Sequence, residues 1–554
     1  MPSRSAAARL STLFAAFLLS ACAGSAASTA TTAPRPEAAA PIAADVPSFA
    51  GETPPDSWHL LDLEADGVAG ISANRAVREL LANRRPSREI VVAIIDGGVD
   101  TAHAALAPAL WRNARETARN ARDDDRNGYT DDINGWNFIG GADGQNVHRD
   151  TYEAVRVDVS CRRRAAAGSA SALSSAERAE CTRAAEYVQK ERQEMTQYQR
   201  TVQQADQVLT MAVGALKTAL GTDSLTDAAV AGLQPATPEV ARARSIYQQL
   251  AAQGITPEVI KKAKNDVSSR LNFGLDSAFN PRPIVGDDTL NLTERGYGNP
   301  DVTGPDASHG THVAGIVAAR RSGEHAAGVS PARLMVIRAV PDGDERDKDI
   351  ANAIRYAVDN GAQIINMSFG KSFSPHKAVV DAAVRYADEK GVLMVHAAGN
   401  DGANNDSSTN YPSPEYVGGG RPNLWIEVGA SSWKGGNALA AAFSNYGSRT
   451  VDLFAPGVAI LSTVPGGTYE RNDGTSMAAP VVSGTAALLM AYCSQLSARE
   501  VKEILLTSAI RRPNQRVTEP GGEREVAFGS LSTTGGIVNA YAAVRLAQQR
   551  GRCP

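Results

Sequence analysis

The sequence predicts an α/β fold with a mainly parallel sheet, interrupted by an all-α insertion. Two observations predict it. Short apolar runs rich in β-branched residues recur along the chain, with amphipathic helical stretches between most of them. One central segment abandons that rhythm for a heptad repeat. At 554 residues the chain exceeds one typical core, and 43% hydrophobic with 21% charged residues is ordinary globular composition. Sixty acidic residues against 56 basic ones give a formal charge of −4, which offers no electrostatic footprint for nucleic acid. No nucleic-acid partner is expected.

The first residues carry a targeting signal. Arg4 and Arg9 precede an apolar run over residues 10–19, too short to span a bilayer as a mature helix. It ends in Leu19-Ser20-Ala21-Cys22, which resembles the bacterial lipoprotein box. The resemblance implies a signal peptide over residues 1–21, cleavage before Cys22 and acylation of its thiol, so that acyl chains would anchor the chain to a membrane. Ala23 stands where an aspartate commonly retains such proteins at the inner membrane, which favours the outer membrane. Residues 22–55, rich in Ala, Thr and Pro, have little to bury and are expected to form a flexible tether.

Regular structure is expected from Trp58 onward, with a helix over 74–81 and then Ile90-Val-Val-Ala-Ile-Ile95, a buried parallel strand. Similar strands are expected at 334–337, 364–367, 392–395 and 425–428, with helices at 349–360 and 377–390. These place one domain in two parts, 56–140 and 284–554, around an insertion over 141–283. In the insertion Ser174-Ser-Ala-Glu177 is a capping box. After it Cys181, Val188, Met195, Val202, Leu209 and Leu216 recur every seven residues, with Ala184, Tyr198, Ala205, Ala212 and Ala219 as companions and Glu191 interrupting the second row. That pattern predicts one helix of roughly 45 residues, about 65–70 Å long. Thr237-Pro238 and Thr256-Pro257 start two further helices whose apolar faces would cover the seam, making an intramolecular hairpin rather than a coiled coil between chains. The protein is expected to be a monomer, and the partner of the helical arm is unknown.

Five cysteines less Cys22 leave four, an even number suited to an oxidising compartment. Three pairings are possible. Cys161–Cys181 and Cys493–Cys553 are favoured, because each pair falls within one apparent structural unit. No Cys/His spacing points to zinc.

Three stretches carry chemistry. Ile94-Ile95-Asp96-Gly97-Gly98 puts an acid at the carboxyl end of a buried strand, and Ser308-His309-Gly310-Thr311-His312 opens an apolar helix with a histidine. Asn472-Asp-Gly-Thr-Ser476-Met-Ala-Ala-Pro480 sets a serine at the mouth of a helix, over 481–492, that is apolar on every side. Together they resemble the subtilisin-like serine proteases, whose signatures centre on Asp, His and Ser in that order. Gly328-Val-Ser-Pro331, Asn366-Met-Ser-Phe-Gly370, Ala397-Ala-Gly-Asn400, Phe443-Ser-Asn-Tyr-Gly447 and Phe454-Ala-Pro-Gly457 extend the resemblance over 58–140 and 284–545. It implies the three-layer fold of that family and a serine endopeptidase. Asp96, His309 and Ser476 would be the triad, and the Ser476 N–H with the Asn400 amide the oxyanion hole. His312 is expected to be a packed helix histidine. Gly97 departs from the family's usual Ser or Thr, removing a hydrogen bond near Asp96. Ser368, Phe369, Gly370 and Ala397, Ala398, Gly399 would wall an extended polypeptide substrate, with Asn410 at the base of the first side-chain pocket. A small polar floor there predicts no strict charge selectivity. The tether is too short and polar to fold as the inhibitory propeptide of secreted relatives, so the chain is expected to be active from Cys22 onward.

A second site is expected at residues 123–132. Asp123, Asp125, Asn127, the Tyr129 backbone and Asp131 fall at alternate positions with Gly128 at the sixth, matching the first half of an EF-hand loop. Asn134 stands where the bidentate glutamate belongs, and Asp132 is the candidate to compensate. The ligand would be structural calcium; the chemistry calls for no catalytic cofactor. The rival reading is a catalytically silent lipoprotein scaffold whose helical arm is a binding module. An intact triad with Asn400 argues against it.

Overall fold

The computed structural model describes residues 43–167, 173–320 and 327–553. These fall into two compact units, one comprising the residues up to Glu153 and from Asn280 onward, the other Ala154–Phe279. Cys22 and the signal segment lie outside the described residues.

The first unit is built on strands β1 (Val91–Asp96), β2 (Gly135–Asn137), β3 (Arg333–Arg338), β4 (Ile364–Met367), β5 (Leu393–Ala397), β6 (Trp425–Ser431) and β7 (Leu453–Pro456). A hairpin of β8 (Ile460–Val464) and β9 (Thr468–Asn472) follows, then β10 (Ile510–Arg511), β11 (Arg516–Thr518), β12 (Glu525–Ala527) and β13 (Gly536–Ile537). The main sheet runs β10-β13-β7-β6-β5-β4-β1-β3-β2. Every pairing in it is parallel except β10 with β13.

β1 shows why its sequence is apolar throughout. Val92 and Ile94 enter one core, shared with helices Ser308–Ala318 and Thr475–Tyr492, while Val91, Ala93 and Ile95 enter another, shared with helices Asp347–Asp359 and Lys377–Glu389. Successive side chains point to opposite faces, and both faces are covered. The result is the three-layer α/β arrangement expected.

The expected tether differs in its last part. Residues 43–49 dock along the first unit: Val46 N–H donates to Gln515 Oε1 (2.7 Å), Phe49 N–H to Lys434 O (2.8 Å), and Phe49 meets Trp433 edge-on at 5.6 Å. Val46 is buried beside Phe454 and Phe528. Composition alone hid this, because one valine and one phenylalanine suffice to hold a strap whose backbone is hydrogen-bonded.

The second unit contains the long helix, Ser175–Leu220, at 46 residues. Ser174 and Glu177 close its capping box, and Gly221 ends it in the left-handed region at φ 62°. Helices Pro238–Ala252 and Pro257–Ser269 pack on it and bury Ala243, Ile260, Ala263 and Val267. Glu191 does not break the seam: it is buried in it. Ala219 is exposed, so the second row ends at Ala212. Disulfides join Cys161 to Cys181 within this unit and Cys493 to Cys553 in the first.

Candidate active site

Asp96 ends β1 and is buried; His309 is the second residue of helix Ser308–Ala318 and partly exposed. His309 Nδ1 lies 2.8 and 3.0 Å from the Asp96 carboxylate oxygens, and the Gly97 N–H donates to Asp96 Oδ1 at 2.8 Å. The helix can come this close because residue 310 is glycine: a Cβ there would lie 2.2 Å from Gly98 O. At Gly97 a Cβ would stand 3.1 Å from Val340 O, and the Gly97 carbonyl accepts from the buried Arg338 Nε at 2.8 Å. The turn after Asp96 is therefore held by backbone and arginine rather than by a hydroxyl. His312, one turn on, is fully buried with Nε2 3.0 Å from Glu470 O, and burial pushes it down to about 4.

Ser476 is the second residue of helix Thr475–Tyr492, whose first 17 residues are buried. The helix starts before Pro480 rather than after it. Proline has no N–H to give to the carbonyl four residues back, so Ser476 O is left without its helical partner. Ser368 Oγ fills that vacancy at 2.9 Å. Behind it, Asn366 Nδ2 donates to Ser368 Oγ (2.9 Å) and Ser483 Oγ to Asn366 Oδ1 (2.8 Å). The Ser476 hydroxyl itself donates to Ser368 O at 3.0 Å.

Asn400 is oriented by Thr475. Its Oδ1 accepts from Thr475 N–H (2.8 Å) and Thr475 Oγ1 (3.0 Å), while Thr475 Oγ1 accepts from Gly399 N–H (3.1 Å). Two acceptor contacts fix which end of the amide is oxygen, so Nδ2 is the donor end. Thr475 and Met477 N–H groups are taken, by Asn400 Oδ1 and Gly474 O. Ser476 N–H meets no acceptor among the described residues.

Ser368, Phe369 and Gly370 follow β4, and Ala397, Ala398 and Gly399 close β5, the next strand. Asn410 lies between the two segments: its Nδ2 donates to Ala397 O at 3.2 Å, and a Cβ on Gly370 would sit 2.3 Å from its Oδ1. Sequence reasoning missed Thr475, Asn366 and Ser483. Asn366 left a signal, a polar residue inside an apolar strand; Thr475 left none.

The acidic loop is assembled differently from its sequence pattern. Glu116, Asp123 and Asp125 bring three carboxylates within 4.8 Å of one another. Asn127 N–H donates to Asp123 and Asp125 (3.0 and 3.1 Å). Asp131 instead accepts from the Asn120 and Ala121 N–H groups. Asp132 turns into the core, accepting from Tyr356 Oη (2.6 Å), Asn113 Nδ2 (2.7 Å) and Asn127 Nδ2 (2.9 Å), and burial pushes its carboxyl up to about 6. Tyr129 is buried against Trp136, Phe138 and Tyr356. Glu116 was missed because it precedes the repeat by seven residues.

An acid–imidazole pair, a serine at a buried helix start and a fixed amide thus meet at the carboxyl ends of parallel strands. A model of the subtilase family (Peptidase_S8) matches residues 275–529, a span that holds His309, Asn400 and Ser476. The chain is 35% identical over 269 residues to subtilisin of Bacillus pumilus, 47% of this chain and 87% of that one. It is 44% identical over 185 residues to a thermophilic serine proteinase of Bacillus sp. (strain AK1), covering 33% and 42%. To subtilisin amylosacchariticus of Bacillus subtilis subsp. amylosacchariticus it is 36% identical over 269 residues, covering 47% and 63%. The chain therefore spans less than two thirds of the last two relatives. It belongs to the subtilase family.

Proposed function

We propose that the protein is a serine endopeptidase that cuts polypeptides with Asp96, His309 and Ser476. The observation that carries this is the Asp96–His309 contact, set beside a nucleophile helix whose Ser476 N–H is unclaimed and whose Thr475 aims Asn400. In the reaction the Ser476 hydroxyl turns about χ1 from Ser368 O to His309 Nε2. His309 takes its proton as Oγ bonds to the scissile carbonyl carbon, and Asp96 stabilises the imidazolium. The carbonyl oxygen, now an anion, accepts from Ser476 N–H and Asn400 Nδ2. His309 then gives the proton to the departing amine, leaving an acyl-serine, and water repeats the steps to release the acid. Asn410, close against Gly370, would floor the first pocket with a small polar amide that imposes no strict charge selectivity.

Glu116, Asp123 and Asp125, all hard oxygen donors, would hold a structural calcium ion. Cys22 would carry lipid and keep the enzyme on the bacterial envelope, at the outer membrane. Digestion of an unfolded polypeptide by the purified protein tests the central reading. Internal cuts are expected, with Ser476→Ala inactive; cutting that survives in Ser476→Ala would refute it. Intact mass of membrane-extracted protein tests the anchor: acyl groups at Cys22 are expected, and an unmodified Cys22 would refute it.

A further inference from the structure

One of the buried histidines that the proposed chemistry leaves unused lies directly behind the 368–370 wall. His396 is on β5, fully buried, in register with Met367 of β4 and Glu427 of β6. Its Nε2 is 2.9 Å from Phe369 O, and its Nδ1 is 2.9 and 3.1 Å from the Glu427 oxygens. Trp425 Nε1 donates to Glu427 Oε2 at 2.8 Å, on the same face of β6.

A carbonyl only accepts, so Nε2 carries a proton. A second proton lies between Nδ1 and Glu427, whichever atom holds it, and the pair is neutral overall. Burying such a pair is costly, and apolar residues of similar volume commonly serve stability as well or better. Stability is therefore a weak reason for the pair to be buried between β5 and β6.

The backbone supplies a stronger one. Ser368 O points to the Ser476 hydroxyl, while the next carbonyl, Phe369 O, points the other way, to His396. Phe369 C=O and Gly370 N–H belong to one planar trans unit, so fixing the oxygen fixes the opposite N–H. Gly370 N–H meets no acceptor among the described residues. It is left facing the same side as Ser368 O, ready to pair with the backbone of an extended chain. We propose that His396, steadied by Glu427, is a positioning residue for substrate: it locks the Phe369–Gly370 peptide plane so that the wall can bind an extended polypeptide. The proposal rests on the endopeptidase reading above and extends it.

The test compares His396→Leu with His396→Gln, whose amide can reach Phe369 O as Nε2 does. Two readouts are needed: hydrolysis of a pentapeptide amide, which spans the wall, and the rate of fluorophosphonate labelling at Ser476, which does not need it. Loss of one hydrogen-bond partner predicts a fall of about tenfold in kcat/KM for His396→Leu, carried mainly by KM. Labelling should stay within about twofold of the native rate, and His396→Gln should recover hydrolysis to within about threefold. Equal losses in both readouts, an unchanged KM, or a His396→Gln no better than His396→Leu would overturn the proposal. Should His396→Leu not fold, Glu427→Gln replaces it; there KM should rise with labelling unchanged, and an unaltered KM counts against. A native protein that is not labelled at all refutes the endopeptidase reading itself.

Discussion

Thr475 is the residue on which the proposed oxyanion donor depends. Asn400 can aim Nδ2 outward only because its oxygen is held by the Thr475 N–H and hydroxyl. Removing the amide, as in Asn400→Ala, should cost about 10²–10³ in kcat, the loss such a donor shows in a related protease. Thr475→Val keeps the shape and the backbone N–H but deletes the hydroxyl that bridges Gly399 N–H and Asn400 Oδ1. It should lower kcat about tenfold with KM nearly unchanged, the weight of one hydrogen bond acting in the transition state. Steady-state kinetics with a peptide amide decides this; an unaltered kcat would show that Asn400 is aimed by something else. The residues proposed as acid, base, nucleophile and amide donor were legible as candidates because each sits in a short motif whose chemistry is local. Thr475 was not, since its part depends on a side chain 75 residues away that only the fold brings to it.

At the scale of elements, five strands, β1 and β3–β6, were legible to within three residues because both faces of the sheet are covered and the runs are apolar, whereas β2 and β7–β13 were not read. The long helix was legible from its heptads, yet Glu191 was misjudged: a polar side chain can be buried when the seam around it satisfies it. The docked strap at 43–49 was hidden because backbone hydrogen bonds leave no compositional trace. The acidic loop was half legible. Alternate spacing found Asp123 and Asp125, whereas the fold supplied Glu116 and drew Asp132 inward. Clustered carboxylates repel unless neutralised, so a chelator should lower Tm by several degrees and calcium should restore it. In Asp125→Ala the chelator should have no effect. Calorimetry with and without chelator checks both, and a native Tm indifferent to chelator would remove the cation from the account.

Across the whole molecule, buried neutral histidines set the acid limit. His59 is fully buried, with neither ring nitrogen hydrogen-bonded among the described residues, and desolvation, with His312 next, pushes it from 6.5 down to about 3. His312 is likewise pushed from 6.5 to about 4. Between pH 6.5 and those values the unfolded chain binds protons that the folded chain refuses, so stability is lost as pH falls. The slope is about 1.4 kcal/mol per pH unit for each histidine. Glu345, pushed up to about 8 by burial, acts in the opposite sense: what it contributes is lost as pH rises. Because Glu345 is common to both proteins, comparing native with His59→Gln isolates one histidine. Urea midpoints between pH 6.5 and 4.5 should fall less steeply in the variant, by one proton's share; parallel slopes would contradict the assignment.

The account turns on one atom, Ser476 Oγ, proposed to react with an Asp-held imidazole as its base and a fixed amide as its oxyanion donor. Reaction with a fluorophosphonate followed by peptide mass mapping tests this most directly. The expected result is a single adduct on Ser476, lost in Ser476→Ala and slowed at least a hundredfold in His309→Ala, as removal of the general base requires. An adduct on another residue, or labelling of Ser476 indifferent to His309, would contradict it.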